Sequence, residues 1–544
     1  MKLFCVKVVL ISLLVLVSPA NLIAGEITED TTWSGTVTLD SNVVVPTGIV
    51  LTIEPGTTVR MSNGITITIY GQLLADGNEA RPILFTRYPS GNRWKQVRFA
   101  GAADSRFRHC IFEYANCAGA HQDYYVPGPN RYQYHEAIVV LASHVDFENC
   151  VFQRLPSTGG EGDAIAVISD DANYPGNTSA NIRGCRFLDI GQGIHTRYSY
   201  VLVEDCYFVG KTGDNDDVDL YGESTPPCLI RRNLFDMPCE DDRVHPTKCS
   251  AIITENVIKG SSSDHGIVLR DKCTPIVTNN LIYNCPNGGI AVENACTAIL
   301  VNNTIVNCTK GIHCFDLGRA GFPYYLTPGG GTATVINCII WDCSPSIQLE
   351  DSPNTQAKDP GSHITVKYCD VKGGRASVTV SGTYSTVTWG AGNINVDPQF
   401  VNAGSKDYHL KSLVGRWNPT TQTWVRDLVH SPCIDTGDPN DPNYSDWTAE
   451  LWPNGRRINM GAYGGTPEAS MSLSTVGNIG DLNNDDIVDF LDFANFAAVW
   501  ETHQPLFTIL TLGPPPLRED LDRNKIVDCN DLGIFSENWL WEEE

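Results

Sequence analysis

Between Pro227 and Cys314 the chain repeats one short pattern of apolar and polar positions. Leu-Ile-Arg-Arg-Asn-Leu-Phe is followed by Ile-Ile-Thr-Glu-Asn-Val-Ile, Ile-Val-Thr-Asn-Asn-Leu-Ile and Ile-Leu-Val-Asn-Asn-Thr-Ile. The shared Asn falls at Asn233, Asn256, Asn280 and Asn303, a period of about 23 residues, the size of one coil of a stacked solenoid. A second β-branched stretch recurs around Val244, Ile267, Ile290 and Ile312, and no repeat holds an amphipathic helical run. The pattern predicts an all-β right-handed parallel β-helix over residues 26–392. One coil cannot bury its own apolar side, whereas coils stacked about 4.8 Å apart make continuous inner columns. The repeated Asn is expected inside, each amide bonded to those above and below.

The same column continues through Cys110, Cys150, Cys185 and Cys206 upstream, and through Cys338 and Cys369 downstream. Cys228, Cys249, Cys273 and Cys296 form a second column, and Cys285, Cys308 and Cys343 a third. The chain has 19 cysteines, yet their spacing is the coil period and no C-x-x-C pair occurs. Mostly buried thiols filling a narrow interior are expected, not a metal site. Alternating strands at Val43–Pro46, Leu51–Thr57 and Ile65–Gly71 open the solenoid and resemble the first coils of polygalacturonase- and pectate-lyase-like β-helices. Insertions at Ala115–Tyr134 and Ser169–Ser179 are expected to bulge from the coils and could wall a groove. The repeat dissolves after Asn393, so 393–470 reads as a cap, with Asp435 and Asp438 as turn formers, and 471–478 as a linker.

Lys2 and Lys7, the apolar run Val8–Val17 and the small residues up to Gly25 read as a signal peptide over 1–25, which implies a secreted, extracellular protein. No stretch is long enough to span a membrane. The net charge of -25 argues against nucleic acid and anionic membrane surfaces as partners.

Polar chemistry concentrates in two places. In the tail, Asp481, Asn483, Asp485, Ile487, Asp489 and Asp492 stand at positions 1, 3, 5, 7, 9 and 12 of a loop, and Asp520, Asp522, Asn524, Ile526, Asp528 and Asp531 repeat it. Side-chain oxygens, with the carbonyl of position 7, converge at this spacing on a hard cation. A helix is expected after each loop, one with Phe493, Phe496, Ala497 and Trp500 on a shared face, the other with Leu532, Phe535 and Trp539. The pair resembles a type I dockerin, the module that docks secreted polysaccharide-degrading enzymes onto cohesin domains. The resemblance implies a small α-helical calcium-loop domain over 479–544, two Ca2+ ions and a cohesin-type partner. Asp486 and Lys525 depart from the usual Gly of position 6, and the helix starts read Phe490-Leu491 and Cys529-Asn530 rather than a Ser/Thr pair.

On the solenoid, Asp214–Asp219, Glu240–His245 and Ser263–Ile267 form an acidic face. Aligning Val218, Val244 and Ile267 as inward residues stacks Asp216, Asp242 and His265. Asp219 and His245 stack beside them, with His195 one coil earlier and Arg270 following. Carboxylates about 5 Å apart repel, which suits general acid–base chemistry or a bound calcium ion, the third place for Ca2+ in the chain. The face resembles the active site of the polygalacturonase family of glycoside hydrolases, whose Asn-Thr-Asp-Gly, Gly-Asp-Asp and Gly-His-Gly motifs occupy successive coils. That resemblance implies Asp216, Asp241, Asp242 and His265 as catalytic; His195, Asp219, Arg243, His245 and Arg270 flank them on the stacked face and are expected as substrate contacts. Asp217 and Asp264 replace family glycines, and no Arg-Ile-Lys follows. The function expected is action on extracellular polysaccharide. A hydrolase would use two of the carboxyl groups; a lyase would hold calcium on the acids with Arg243 or Arg270 as base. A non-catalytic carbohydrate-binding or structural solenoid is the alternative.

Overall fold

The structure, a computed structural model, describes residues 21–116, 136–155, 163–169, 176–209, 216–236, 242–260, 264–318, 327–353, 357–441, 443–444, 446–503 and 516–543. The segment expected to be a signal peptide lies outside these residues up to 20, as do Asp241, most of the Ala115–Tyr134 insertion and 170–175. Among the described residues no helix is long and apolar enough to cross a membrane.

Three strands per coil stack into three parallel faces, an all-β parallel β-helix. Leu229–Arg231, Leu234–Asp236 and Val244–Thr247 make one such coil. On face 1, Ile230 lies opposite Ile253, then Val277, then Leu300. On face 2, Phe235 leads to Ile258, Ile282 and Ile305. On face 3, Val218 leads to Val244, Ile267, Ile290 and Ile312. Face 1 is a 14-stranded sheet, and faces 2 and 3 join in a 26-stranded one because Thr36–Val45 runs across both. All these inward residues are buried, which fixes the register, since a slip of one residue would turn every apolar side chain outward.

A local rule produces the corner between faces 1 and 2. One residue with left-handed backbone, among them Asp205, Arg232, Glu255, Asn279, Asn302 and Asn337, precedes an inward residue that starts face 2. That inward residue is the predicted ladder. Asn256 Oδ1 accepts from Asn233 N and Nδ2, both at 3.0 Å, and Asn280 Oδ1 accepts from Asn256 N and Nδ2 at 3.0 and 2.9 Å. Asn303 N meets Cys338 Sγ at 3.4 Å, Cys338 N meets Cys369 Sγ at 3.4 Å, and Cys369 N donates to Asn393 Oδ1 at 3.0 Å. The column therefore ends at Asn393. Beside it, Phe85, Phe112, Phe152, Phe187, Phe208 and Phe235 stack with centroids 4.6–5.1 Å apart. Such pairs contribute about 0.5–1.5 kcal/mol each beyond area burial. The described solenoid cysteines are buried free thiols, as their spacing suggests, with Cys273 Sγ 3.2 Å from Cys296 Sγ.

The cap covers part of face 2. Asn279 donates to the carbonyls of Ala462 and Gly464, Asn302 to those of Asn459 and Gly461, and Asn337 to that of Tyr444. Tyr408 and Ala462 pack on Leu281, Tyr283 and Val306. Asp438 caps the amide of Asn440 and pairs with Lys367 at 2.9 Å.

In the tail, α1 (Phe490–Ala498) and α2 (Cys529–Glu537) each begin with a capping box, Asp489 with Asp492 and Asp528 with Asp531. Leu482, Val488, Phe496, Leu521, Val527 and Phe535 form the core. The expected helix faces are narrower than the sequence suggests: Phe493, Ala497 and Trp500 are exposed, leaving Phe496 as the buried anchor of α1.

Candidate functional site

Face 3 positions the acidic cluster. His195, Asp219 and His245 lie directly opposite one another on successive strands. Pairing of Val218 with Val244 and of Val244 with Ile267 brings Asp216, Asp242 and His265 into the neighbouring stack. The contacts follow that register: Asp242 N donates to Asp216 Oδ1 at 3.2 Å, and His265 N to Asp242 Oδ1 at 3.1 Å. His245 Nδ1 is 2.9 Å from Asp216 Oδ2 and 4.0 Å from Asp242 Oδ2, while its Nε2 is 3.2 Å from Thr247 Oγ1. His195 Nδ1 is 2.9 Å from Asp219 Oδ2.

Exposure is graded across the cluster. Side chains of Asp219, His245 and Arg270 are 19%, 12% and 19% exposed, with Asp216 at 11%, against 5% for His195, 4% for Asp242 and 3% for His265. A ligand approaching from solvent meets the first three. Face 3 is also covered elsewhere: outward Val139, Leu141, Ala166 and Ile168 form a buried apolar cluster of their own, which the alternation of the sequence does not announce.

Electrostatics sort the candidate bases. Burial and the Arg270 charge push His245 down, but the charge and hydrogen bond of Asp216, with Asp219, outweigh them, so its pKa is raised. Burial would lower Arg270, yet Glu293 at 2.7 Å, aided by Asp242 and Asp216, holds it firmly protonated. Arg270 is thus placed as a cation beside the acids, the charge a substrate acid group would meet. Arg243 is held differently. It is 1% exposed, donates to Asp217 Oδ2 at 2.6 Å and Lys259 O at 3.2 Å, and faces no ligand. A buried guanidinium needs its counter-charge, and Asp217, one coil back, supplies it. Burial raises Asp264, but His265 and Asn287 outweigh it and lower the carboxyl to about 2. His265 Nδ1 lies 2.7 Å from Asp264 Oδ1, and its ring sits where a side chain on Gly288 would meet it at 2.6 Å. Glu293, Thr247 and Gly288 were not picked out by sequence, and Asp264 stood out only as a replacement for a family glycine. Glu293 lies directly opposite Arg270, so one more coil of the same alignment would have found it.

Two acid–histidine sets could hold a metal. Asp216, Asp242 and His245 offer ligand atoms within 4.8 Å of one another, as do Asp242, Asp264 and His265. A nitrogen among the donors suits divalent transition ions better than calcium, which takes oxygens. In the tail, Asp481, Asp485 and Asp492, and likewise Asp520, Asp522 and Asp531, converge within the same 4.8 Å. There the donors are oxygens, and the loop is set by backbone amides. Asp492 accepts from Leu482 N and Asn483 N at 2.7 and 3.0 Å, and Asp531 from Asp522 N at 2.9 Å. Burial, with the charges of Asp531 and Asp522, raises Asp520 to about 6 against the hydrogen bonds of Lys525 and Asn524. Such crowded carboxylates fit a hard cation. Asp489 and Asp528 cap the helices, and Asn483 and Asn524 accept turn amides. A separate cavity of about 210 Å³ lies between face 2 and the cap, walled by Val257, Leu281 and Tyr463 and rimmed by Arg232, Glu255 and Glu468.

A family model described as "Disaggregatase related" matches residues 227–437. No curated protein matches the chain. Among solved structures, tailspike protein 3 of bacteriophage CBA120 is 13% identical, with 76% of this chain and 64% of that one covered and a TM-score of 0.26. The PL6 family alginate lyase AlyGC is 14% identical over 64% and 53%, TM-score 0.29. The pectate lyase Pel9A is 13% identical over 75% and 88%, TM-score 0.27. The chain thus spans less than two thirds of the first two.

Proposed function

We propose that this is a secreted carbohydrate-active β-helix protein that cleaves an extracellular polysaccharide at the Asp216–Asp242–His245 cluster. Its tail is proposed to be a calcium-loaded, dockerin-like module with a cohesin-type partner. The observation that carries the first part is the convergence, from successive coils, of two carboxylates on one imidazole. Asp216 and Asp242 lie within 4.8 Å at their ligand atoms, tighter than the roughly 6.5–9.5 Å that inversion by water needs. The pair therefore disfavours an inverting hydrolase built on these two acids, and the lyase version is preferred to a retaining one because the acids also converge on an imidazole and could hold a cation. A divalent cation held by the carboxylates of Asp216 and Asp242 would neutralise a uronate carboxylate, with the His245 imidazole left for proton transfer. Arg270, fixed as a cation by Glu293, binds substrate acid groups, and Asp219 orients hydroxyls. His245, whose protonation Asp216 favours, handles the proton in place of the arginines, and His265 supports Asp242 from beneath.

The test is a polysaccharide panel assayed separately for unsaturated products and new reducing ends. Unsaturated product lost on chelation and in Asp242→Asn supports the proposal. Full activity in that variant refutes the site. A chain with Asp492→Asn and Asp531→Asn separates the tail's ions from this one. The cavity beside Tyr463 favours a second reading, a binding module; glycan capture without any released product would support it.

A further inference from the structure

The tail's two loops touch the cap through their fourth and sixth positions. Asn484, Asp486, Arg523 and Lys525 all have left-handed backbone, with φ of 59, 72, 63 and 80, which glycine adopts freely, Asn and Asp less so, and Arg and Lys least. Each reaches across to the cap. Asn484 Nδ2 donates to Thr448 O at 2.9 Å, and Asp486 pairs with Arg456, which also holds Glu543. Arg523 donates to Trp452 O at 2.7 Å and lies 5.4 Å over the Trp424 ring, and Lys525 Nζ donates to Thr421 O at 2.8 Å. Arg518 ties loop and cap together, donating to Leu482 O at 2.9 Å and to the Thr448 carbonyl. The contact leaves a void of about 20 Å³, bounded by Glu450–Trp452 on one side and by Asp481 and Asp520 on the other. That is room for about one water.

We propose that the cap strip formed by Thr421, Trp424, Thr448, Trp452 and Arg456 is a docking surface for the chain's own tail module, and that calcium in the loops holds the module there. This explains why position 6 is not glycine: its side chain is the contact. It also supplies the coupling. Asp481 Oδ2 accepts the amide of Asp486 at 3.1 Å, and Asp520 Oδ2 that of Lys525 at 2.7 Å. The first acid of each loop, a calcium ligand on the reading above, thus fixes the backbone of the residue that grips the cap. The module is then held in one orientation on the solenoid rather than swinging on residues 473–478, Met471 and Ser472 being buried in the cap.

The inference rests on the calcium reading of the loops, and the experiment separates the two. Hydrogen exchange of the full chain is followed at 416–426, 446–456 and 471–478 with and without calcium, alongside calorimetry and small-angle scattering. Calcium is expected to slow exchange in all three segments and shrink the radius of gyration, and chelator to reverse both. Asp486→Gly with Lys525→Gly suits the backbone and should keep calcium uptake while losing the protection. Arg456→Ala, which leaves the loops untouched, should lose it too and weaken calcium binding about fivefold or more, since coupling is reciprocal. Calcium uptake with unchanged protection overturns this proposal alone, as does wild-type protection in both variants. No uptake by the wild-type chain overturns the calcium reading and this one with it.

Discussion

Replacing Asn280 by Ala cuts the inner ladder at one rung, and the cost can be worked from its contacts. Asn280 Oδ1 accepts from Asn256 N and Nδ2 at 3.0 and 2.9 Å, and its Nδ2 donates to Ile253 O, Thr278 O and Asn303 Oδ1 at 2.9, 2.9 and 3.0 Å. After truncation Asn256 Nδ2 retains Ile230 O, and Asn303 Oδ1 retains Asn280 N. The amide of Asn256 loses its rung acceptor inside a closed interior. An unsatisfied buried donor costs about 1–3 kcal/mol, and the lost bonds and small void raise the total to about 3–5 kcal/mol. Asn280→Cys is milder, because the chain itself uses thiols at Cys338 and Cys369, where sulfur still meets the backbone amide at 3.4 Å. About 1–2 kcal/mol is expected there, thiols being weak acceptors. Native-state hydrogen exchange reads this directly: protection of the Asn256 amide should fall roughly a hundredfold or more in the Ala variant, at about 1.4 kcal/mol per decade, and clearly less in the Cys variant. Equal effects, or an Ala variant within about 0.5 kcal/mol of wild type, would refute the account of the ladder.

Other outcomes follow from the same contacts. His245→Gln should cost orders of magnitude in kcat on any polysaccharide the wild type cleaves, with KM little changed, as steady-state kinetics will show. Arg243→Ala should act on stability instead, by about 3–5 kcal/mol in denaturant titration, because it strands Asp217 inside the fold. Chelation should melt α1 and α2 while leaving the β-sheet signal intact, seen by circular dichroism, since the tail core is only a few residues. The coil–cap junction should weaken as pH rises. Burial lifts Asp370 to about 6 from 3.8, against hydrogen bonds from Cys433 and Val396. The folded state therefore keeps a proton that the unfolded chain loses. The penalty is absent below about pH 4, grows through pH 6 and is constant above, reaching about 2–3 kcal/mol. Asp370→Asn should flatten the difference between urea midpoints at pH 5 and pH 7.

The stacking of Asp216, Asp242 and His265 was legible because β register follows from inward residues, and Val218, Val244 and Ile267 are unmistakably apolar. What Arg243 does was not. It sits beside inward Val244, and although Asp217 lies in register with it one coil back, alternation says nothing about a side chain that turns along the coil to reach Lys259 O. The doubled Asn-Asn of two repeats told of the ladder, yet Asn279 and Asn302 work outward, as left-handed corners that clamp the cap. Their task depends on residues nearly two hundred positions away, beyond the reach of a local pattern. The convergence of Asp481, Asp485 and Asp492, and of Asp520, Asp522 and Asp531, was legible from spacing, whereas the use of Asp486 and Lys525 was visible only as a departure from glycine.

The ladder is not uniform along the solenoid. Amide rungs run from Asn233 to Asn303, and thiol rungs, with longer contacts, flank them at Cys110–Cys206 and at Cys338 and Cys369. In a stack where each coil feels only its neighbours, the strongest interfaces nucleate folding and open last. Asp242 and His265 belong to the amide-runged coils, and Asp216 to the coil at their edge. Heating should therefore fray the rod from both ends while its acidic midsection keeps its geometry, so that loss of the site marks the last stage of melting rather than the first.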